Sequence, residues 1–370
     1  MEKLDEDPAR VGALRARLLQ WYERGRRDLP WRKNRDPYAI WVSEIMLQQT
    51  RAACVAERYQ PFLTRFPTLV SLALAPEEEV LALWSGLGYY NRARMLHKAA
   101  KFVAENLGGN LPVRSGQLRL LPGIGDYTAA AVASIAHGER VAAVDGNVER
   151  VLCRLAGWEA GSRNGGGAEL RRKIASLAGR LLDRSRPGDF NQAMMELGAT
   201  VCLPRNPQCP ACPFYADCKT RGEHQTPRRD PMVCELAAHA LSVRTAQTSG
   251  KRRARAAREV LLEQRPKFFS VMPGLWELPR LRDVDVPPQN LRMTLRHAIM
   301  RVNYYVSIRT VFEDDVEELT IMDGTRRWVP LCETEGMALT GLTRKVLARA
   351  HLLPAAPIDA VAVAQGQIVP

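Results

Sequence analysis

Four cysteines fall within one short stretch of the chain, at Cys202, Cys209, Cys212 and Cys218, in the spacing C-x6-C-x2-C-x5-C. Thiolates so close together can surround a single soft metal centre, and Pro204, Pro207, Pro210 and Pro213 hold the intervening loop in turns. Zinc and an iron-sulfur centre both satisfy this donor set. A chain built this way must fold a compact body that brings the loop to one point. Eight cysteines in 370 residues, four of them clustered, do not form the disulfide framework of a small secreted domain. Cys54, Cys153, Cys234 and Cys332 lie apart and read as ordinary core or surface residues.

Ahead of the cysteines the sequence has helical grammar. Val11, Leu14, Leu18 and Trp21 or Tyr22 recur at three to four residues, the mark of a helix with one buried face. Pro76 followed by Glu77, Glu78 and Glu79 reads as a helix start, and Gly108 and Gly109 close a helix running from about Arg92. Further helices are predicted over 129–136, 148–155, 170–182 and 190–199. After the cysteines, strand-like runs replace them at 236–243, 260–264, 275–278, 302–312 and 327–331. The length suits two domains. We therefore expect a mainly α domain over 1–220, a charged, proline-containing linker over 221–231, a smaller α+β domain over 232–353 and a flexible tail over 354–370. The basic run Lys251–Arg258 reads either as a phosphate-contacting loop or as a solvated insertion between strands.

The formal net charge is +13, of which residues 1–230 carry +9 and residues 231–370 carry +4. A polyanion is the natural partner for such a balance, with solubility as the plainer alternative. No apolar run reaches the length of a membrane span, and the acidic first residues lack the apolar stretch of a signal peptide. The expectation is a cytoplasmic protein, nucleoid-associated when bound to DNA, monomeric and without a membrane partner.

Two further features carry chemistry. In LPGIGDYTAAAV (residues 121–132), a Pro-Gly-x-Gly turn enters an alanine-rich helix and exposes backbone N–H groups where the helix dipole favours a phosphate. Leu121, Pro122, Gly123, Ile124 and Gly125 are thus candidate contacts to DNA. The second feature is a pair of carboxylates. Glu44 interrupts an apolar helical run just before Gln48 and Gln49, and Asp145 follows four apolar residues and precedes Gly146 and Asn147. A carboxyl group among apolar neighbours can act as an acid near neutral pH, and an ionised partner can stabilise a sugar cation. The plainer readings are an exposed Glu on an amphipathic helix and Asp145 as a helix N-cap.

LPWR (29–32), PYAIWVSEIMLQQT (37–50), LWSGLGYYNRAR (83–94), the hairpin, VDGNV (144–148) and the cysteine array together resemble the MutY family of adenine DNA glycosylases, within the helix-hairpin-helix endonuclease III group. The resemblance covers about residues 10–220. It implies a two-lobed domain holding one [4Fe-4S] cluster on the four cysteines, and a pocket that receives an adenine flipped from double-stranded DNA, since the glycosidic bond is out of reach inside the stack. It further implies Glu44 as acid and base, Asp145 as the stabiliser of the oxocarbenium ion, and Asn147 and Tyr127 as the residues orienting them. Gln48 would contact DNA, and Gln49 and Tyr89 would wedge into the duplex. Relatives that also cut the strand carry a lysine where this chain has Tyr127, so a monofunctional glycosylase leaving an abasic site is expected.

Residues 232–353 resemble the Nudix-like C-terminal domain of the same family through GLWELP (274–279) and RRWVPL (326–331). No REUxEE arrangement of carboxylates follows Gly274, so metal-dependent nucleotide hydrolysis is not expected. Where the family places Phe-Ser-His to recognise 8-oxoguanine, this chain reads Ile299, Met300 and Arg301. A side chain that accepts from N7 is missing there, and a weaker preference for 8-oxoguanine over guanine opposite adenine is expected.

Overall fold

The structure, a computed structural model, describes residues 7–159, 167–224, 231–246, 258–281, 291–319 and 325–353. The expected tail over 354–370, most of the basic run Lys251–Arg258 and much of the linker lie outside these residues. Among the described residues the helices are α1 (Pro8–Gly25), α2 (Pro37–Leu47), α3 (Ala52–Arg65), α4 (Leu69–Leu74), α5 (Glu77–Leu83), α6 (Asn91–Asn106), α7 (Ser115–Leu118), α8 (Asp126–His137), α9 (Gly146–Ala156), α10 (Gly167–Leu181), α11 (Pro187–Thr200) and α12 (Gly341–Arg349). The strands are β1 (Val233–Leu241), β2 (Val243–Thr245), β3 (Arg258–Gln264), β4 (Trp276–Glu277), β5 (Leu291–Ile299), β6 (Val302–Thr310) and β7 (Arg326–Pro330). None of these helices is long and apolar enough to cross a membrane.

The chain divides into two compact units, residues 1–75 with 91–229 and residues 76–90 with 230–370. The first is the helical unit. Its helices begin where the sequence supplies caps: Asp7 accepts from Ala9 N, and Asp36, ahead of Pro37, accepts from Tyr38 N. Helix α2 is buried on all sides from Tyr38 to Met46, as expected of a central helix without a polar face. The hydrophobic core of α1, α9, α10 and α11 closes over Phe214 of the cysteine loop. Two glycines of α11 make close packing possible. A Cβ at Gly188 would stand 2.7 Å from the Ser134 carbonyl oxygen of α8, and one at Gly198 would stand 2.5 Å from Asn147 Cβ of α9.

The second unit is α+β. In one sheet β6 lies between β1, to which it is parallel, and β5, to which it is antiparallel. In the other, β3 pairs with β2, β4 and β7, all antiparallel. Their core includes Leu262, Ile308 and Val329, with Val346 and Leu347 of α12. Residues 76–90, which the sequence reading keeps in the helical domain, belong to this unit. Within it Tyr90 Oη donates to the Leu339 carbonyl at 3.0 Å and Arg344 Nε donates to Ser85 Oγ at 3.0 Å. Strand β5 is absent from the sequence reading, and the predicted run over 236–243 is broken at Ser242 into β1 and β2.

Candidate active site

Helix α2 presents Glu44 to the interior of the helical unit, where the residue is 5% exposed. Tyr127, in the first turn of α8, donates from Oη to Glu44 Oε2 at 2.5 Å and stands 3.3 Å from Met195 Sδ of α11. Burial pushes the Glu44 carboxyl up to about 7, the charge of Asp145 adds to this, and the Tyr127 hydrogen bond and Arg32 oppose it. The Tyr127 phenol is raised well above its ordinary value, by burial first and then by the charges of Glu44 and Asp145. Near neutral pH the pair therefore holds a proton on Glu44 in a large share of molecules, and the phenol stays neutral.

Asp145 takes the N-cap position that the sequence allows it. As N-cap of α9 its Oδ1 accepts from Val148 N at 2.8 Å, while Oδ2 accepts from Asn147 Nδ2 at 2.9 Å and remains in electrostatic reach of Glu44. Asn147 is held in turn. Arg150 Nη2 donates to Asn147 Oδ1 at 2.8 Å and to the Gly198 carbonyl at 2.7 Å, and Arg150 Nε donates to the Cys202 carbonyl at 2.8 Å. A path of hydrogen bonds thus runs from Asp145 to the first cysteine of the loop.

The four cysteines line one cavity together with Arg154 and Phe214. Among the described residues no three His, Cys, Asp or Glu side chains converge closely enough to hold a single metal ion; the cysteines stand around a space instead. Burial pushes the Cys212 thiol up to about 11, and the other three cysteines add to the rise through their own charge. Four thiolates at this spot would need a cationic centre between them, and among the described residues no carboxylate lines the cavity. Arg154, itself buried, donates to Cys202 Sγ at 3.4 Å and to the Leu203 and Pro204 carbonyls at 2.6 and 2.9 Å, which fixes the first turn of the loop. This donor set fits an iron-sulfur cluster.

The remaining predicted residues fall in several places. In the hairpin Leu121 and Ile124 are buried, Pro122 is half-buried, and Gly123 and Gly125 are exposed. Gly123 has φ 74°, and a Cβ there would lie 2.5 Å from Met95 Cβ, so the turn tolerates only glycine. Gln48 is half-buried and its Nε2 donates to Thr128 Oγ1 at 3.2 Å. Gln49 is exposed with φ 56°, in a turn held by Arg92, whose Nη1 donates to the Ile45 and Met46 carbonyls at 2.8 and 2.9 Å. In the second unit Tyr89 (φ 47°) and Met300 (φ 52°) are 53% and 76% exposed. Met300 and the exposed Arg301 form the two-residue turn between β5 and β6, and Ile299 is half-buried at the end of β5. A non-glycine residue with positive φ is uncommon, and three of the residues expected to touch DNA have it.

A family model described as HhH-GPD superfamily base excision DNA repair protein matches residues 42–175. Adenine DNA glycosylase of Homo sapiens is 48% identical over 227 residues, covering 59% of this chain and 41% of that protein. The Arabidopsis thaliana adenine DNA glycosylase is 39% identical over 310 residues, covering 72% of this chain and 47% of that protein. The chain spans about half the length of the curated relatives it matches. Among solved structures, a thermostable thymine-DNA glycosylase is 31% identical with a TM-score of 0.51, and the match covers 57% of this chain and 96% of that one. Residues 42–175 thus carry an HhH-GPD domain.

Within the helical unit one cluster beside Glu44 escapes the sequence reading. Glu196 of α11 is buried and accepts from Arg27 Nη2 at 2.7 Å and from Arg32 Nη2 at 2.8 Å. Burial would raise this carboxyl, but the hydrogen bonds from Arg27 and Arg32 outweigh it and bring it down to about 2. The partners lie more than 160 residues apart in the chain, so no local spacing joins them. The available signal is a lone carboxylate in the apolar run around Met194 and Leu197, the same pattern that singles out Glu44.

Proposed function

We propose that this protein is a monofunctional adenine DNA glycosylase of base excision repair. The observation that carries the reading is Glu44: a buried carboxyl titrating at about 7, joined to Tyr127 at 2.5 Å and facing the charge of Asp145. In the reaction Glu44 gives its proton to a ring nitrogen of the flipped adenine. The C1′–N9 bond then breaks with its electron pair leaving on the base. Asp145, pinned by Val148 N and Asn147, stabilises the oxocarbenium ion. The Glu44 carboxylate then takes a proton from the water that adds to the sugar. Tyr127 has no amine for a Schiff base, and the strand stays intact.

Cys202, Cys209, Cys212 and Cys218 would hold a [4Fe-4S] cluster, which supplies a cationic anchor for the loop; about four irons per chain is the expected stoichiometry. The exposed hairpin glycines and the net charge of +9 on residues 1–230 support phosphate binding, and the second unit, read as Nudix-like, would meet the opposite base through the Met300–Arg301 turn. A second reading, thymine excision, rests on the likeness to the thymine-DNA glycosylase.

The deciding experiment is single-turnover excision by the full chain on duplexes placing adenine opposite 8-oxoguanine, guanine or cytosine, and thymine opposite guanine. Adenine release opposite 8-oxoguanine and guanine is expected. Release of thymine with adenine left intact would overturn the proposal in favour of the second reading.

A further inference from the structure

The second unit carries a cavity of about 970 Å³, part of it open to solvent, on one face of the sheet formed by β1, β6 and β5. Alternate strand residues form its floor, among them His239 and Tyr304, and the Phe269 loop, Glu277, Arg280 and the N-cap of α12 at Thr340 form its walls.

Its polar groups have a definite sense. His239 is 2% exposed, and its Nδ1 lies 2.9 Å from the Leu278 carbonyl oxygen. A carbonyl can only accept, so Nδ1 carries the proton and Nε2 is a bare acceptor. Burial lowers the pKa of this imidazole and keeps it neutral. Among the described residues Nε2 has no hydrogen-bond partner within the protein, and, with His239 lining the cavity, it is left to accept from a donor that enters there. Beside it Glu277, also buried, is close enough for its charge to be felt at His239. Arg265 fixes this carboxylate by donating from Nη1 to both of its oxygens, at 2.7 and 2.8 Å, and also lies over the Phe269 ring. Each carboxylate oxygen keeps capacity for a further donor. At the rim stands Arg280, exposed, near the positive end of the α12 dipole.

We propose that this cavity binds a purine mononucleotide unit by a guanine-type edge. The ring and exocyclic N–H groups donate to His239 Nε2 and Glu277, the base lies among Phe269 and Tyr304, and the phosphate meets Arg280. Guanine offers two adjacent donors to two adjacent acceptors. Adenine sets an acceptor against one of them. The inference concerns binding alone and does not depend on which base the first unit excises. The nucleotide can come from solution or from a DNA strand, because the recognised groups are the same.

The test is calorimetric titration of the full chain with GMP and AMP. GMP is expected to bind saturably and AMP about tenfold more weakly, and the surface change Arg280→Ala should weaken GMP by about tenfold through loss of a charge-assisted contact. His239→Leu should abolish GMP binding, and the Arg280 variant keeps the test sound if the buried change disturbs folding. A repeat with the chain saturated by mismatched duplex separates the sources. Loss of GMP binding means that a DNA nucleotide fills the site, and unchanged binding means a free nucleotide; the site stands in both cases. No binding at millimolar GMP, equal affinity for GMP and AMP, or an Arg280→Ala variant indistinguishable from wild type would overturn the proposal.

Discussion

Glu44 and Glu196 are buried to nearly the same degree in the same helical unit, yet they titrate on opposite sides of the ordinary value of 4.5, at about 7 and about 2. Burial penalises both charges. The difference lies in the partners: a neutral phenol at Glu44, and two guanidiniums at Glu196. Arg32 links the two regions, since it is bonded to Glu196 and its charge also acts on Glu44. With Glu196 holding Arg32, one carboxyl is a permanent anion and the other a proton store. An acid near neutral pH is thus made partly by a second residue that neutralises the nearest cation.

The largest effect that can break this comparison is on the chemistry. Glu44→Gln keeps the shape and removes the transferable proton, and single-turnover excision should fall by about 10³-fold while mismatch binding persists. Wild-type turnover by this variant would refute the acid role. Next in size is the ion cluster. Glu196→Gln leaves two guanidiniums facing an amide and should destabilise the fold by about 3 kcal/mol in denaturant titrations at pH 7. The same variant frees Arg32 to act on Glu44, so the basic limb of its pH–rate profile should move to lower pH. An unmoved limb would mean that the two carboxyls are independent.

An effect of similar size and opposite sign concerns stability. Because the folded pKa of Glu44 is raised, the unfolded chain gives up this proton first, and stability falls as pH rises from about 4.5 to about 7. Glu44→Gln removes that loss and should stabilise the protein by about 3 kcal/mol at pH 8, with no gain at pH 4. Glu196 behaves inversely, its contribution being present above pH 4.5 and lost as pH falls towards 2. The smallest effect is expected at Tyr127. Tyr127→Phe deletes the hydrogen bond that lowers the Glu44 pKa, and the basic limb should rise by about one pH unit. A shift downward would show that the phenol stabilises the protonated acid instead.

The sequence makes Glu44 legible because a carboxylate inside an apolar helical run has no comfortable exposed face, and α2 is indeed buried on every side around it. Asp145 is legible as an N-cap, and that position leaves its charge within reach of Glu44. What the sequence does not disclose depends on distant partners. The Arg27–Glu196–Arg32 cluster and the Arg150 link to Cys202 join residues that only the packing of α1, α9 and α11 brings together. Strand β5 escapes because its inward-facing row in LRMTLRHAI, Met293, Leu295, His297 and Ile299, is interrupted by a histidine, while Arg292, Thr294 and Arg296 fall on the exposed face. Residues 76–90 change allegiance for a similar reason: their ties to Leu339 and Arg344 span about 250 positions.

Helix α11 carries Glu196 and, two residues on, Gly198, whose missing side chain lets Asn147 lie directly against the helix backbone. In mechanical terms the helix is a datum from which both the permanent anion and the support of Asp145 are measured. Its tolerance at Gly198 is less than the width of a methyl group. Drift of α11 along its axis would therefore misalign two charges at once, and the surface that evolution can explore around this helix is confined to its outward face.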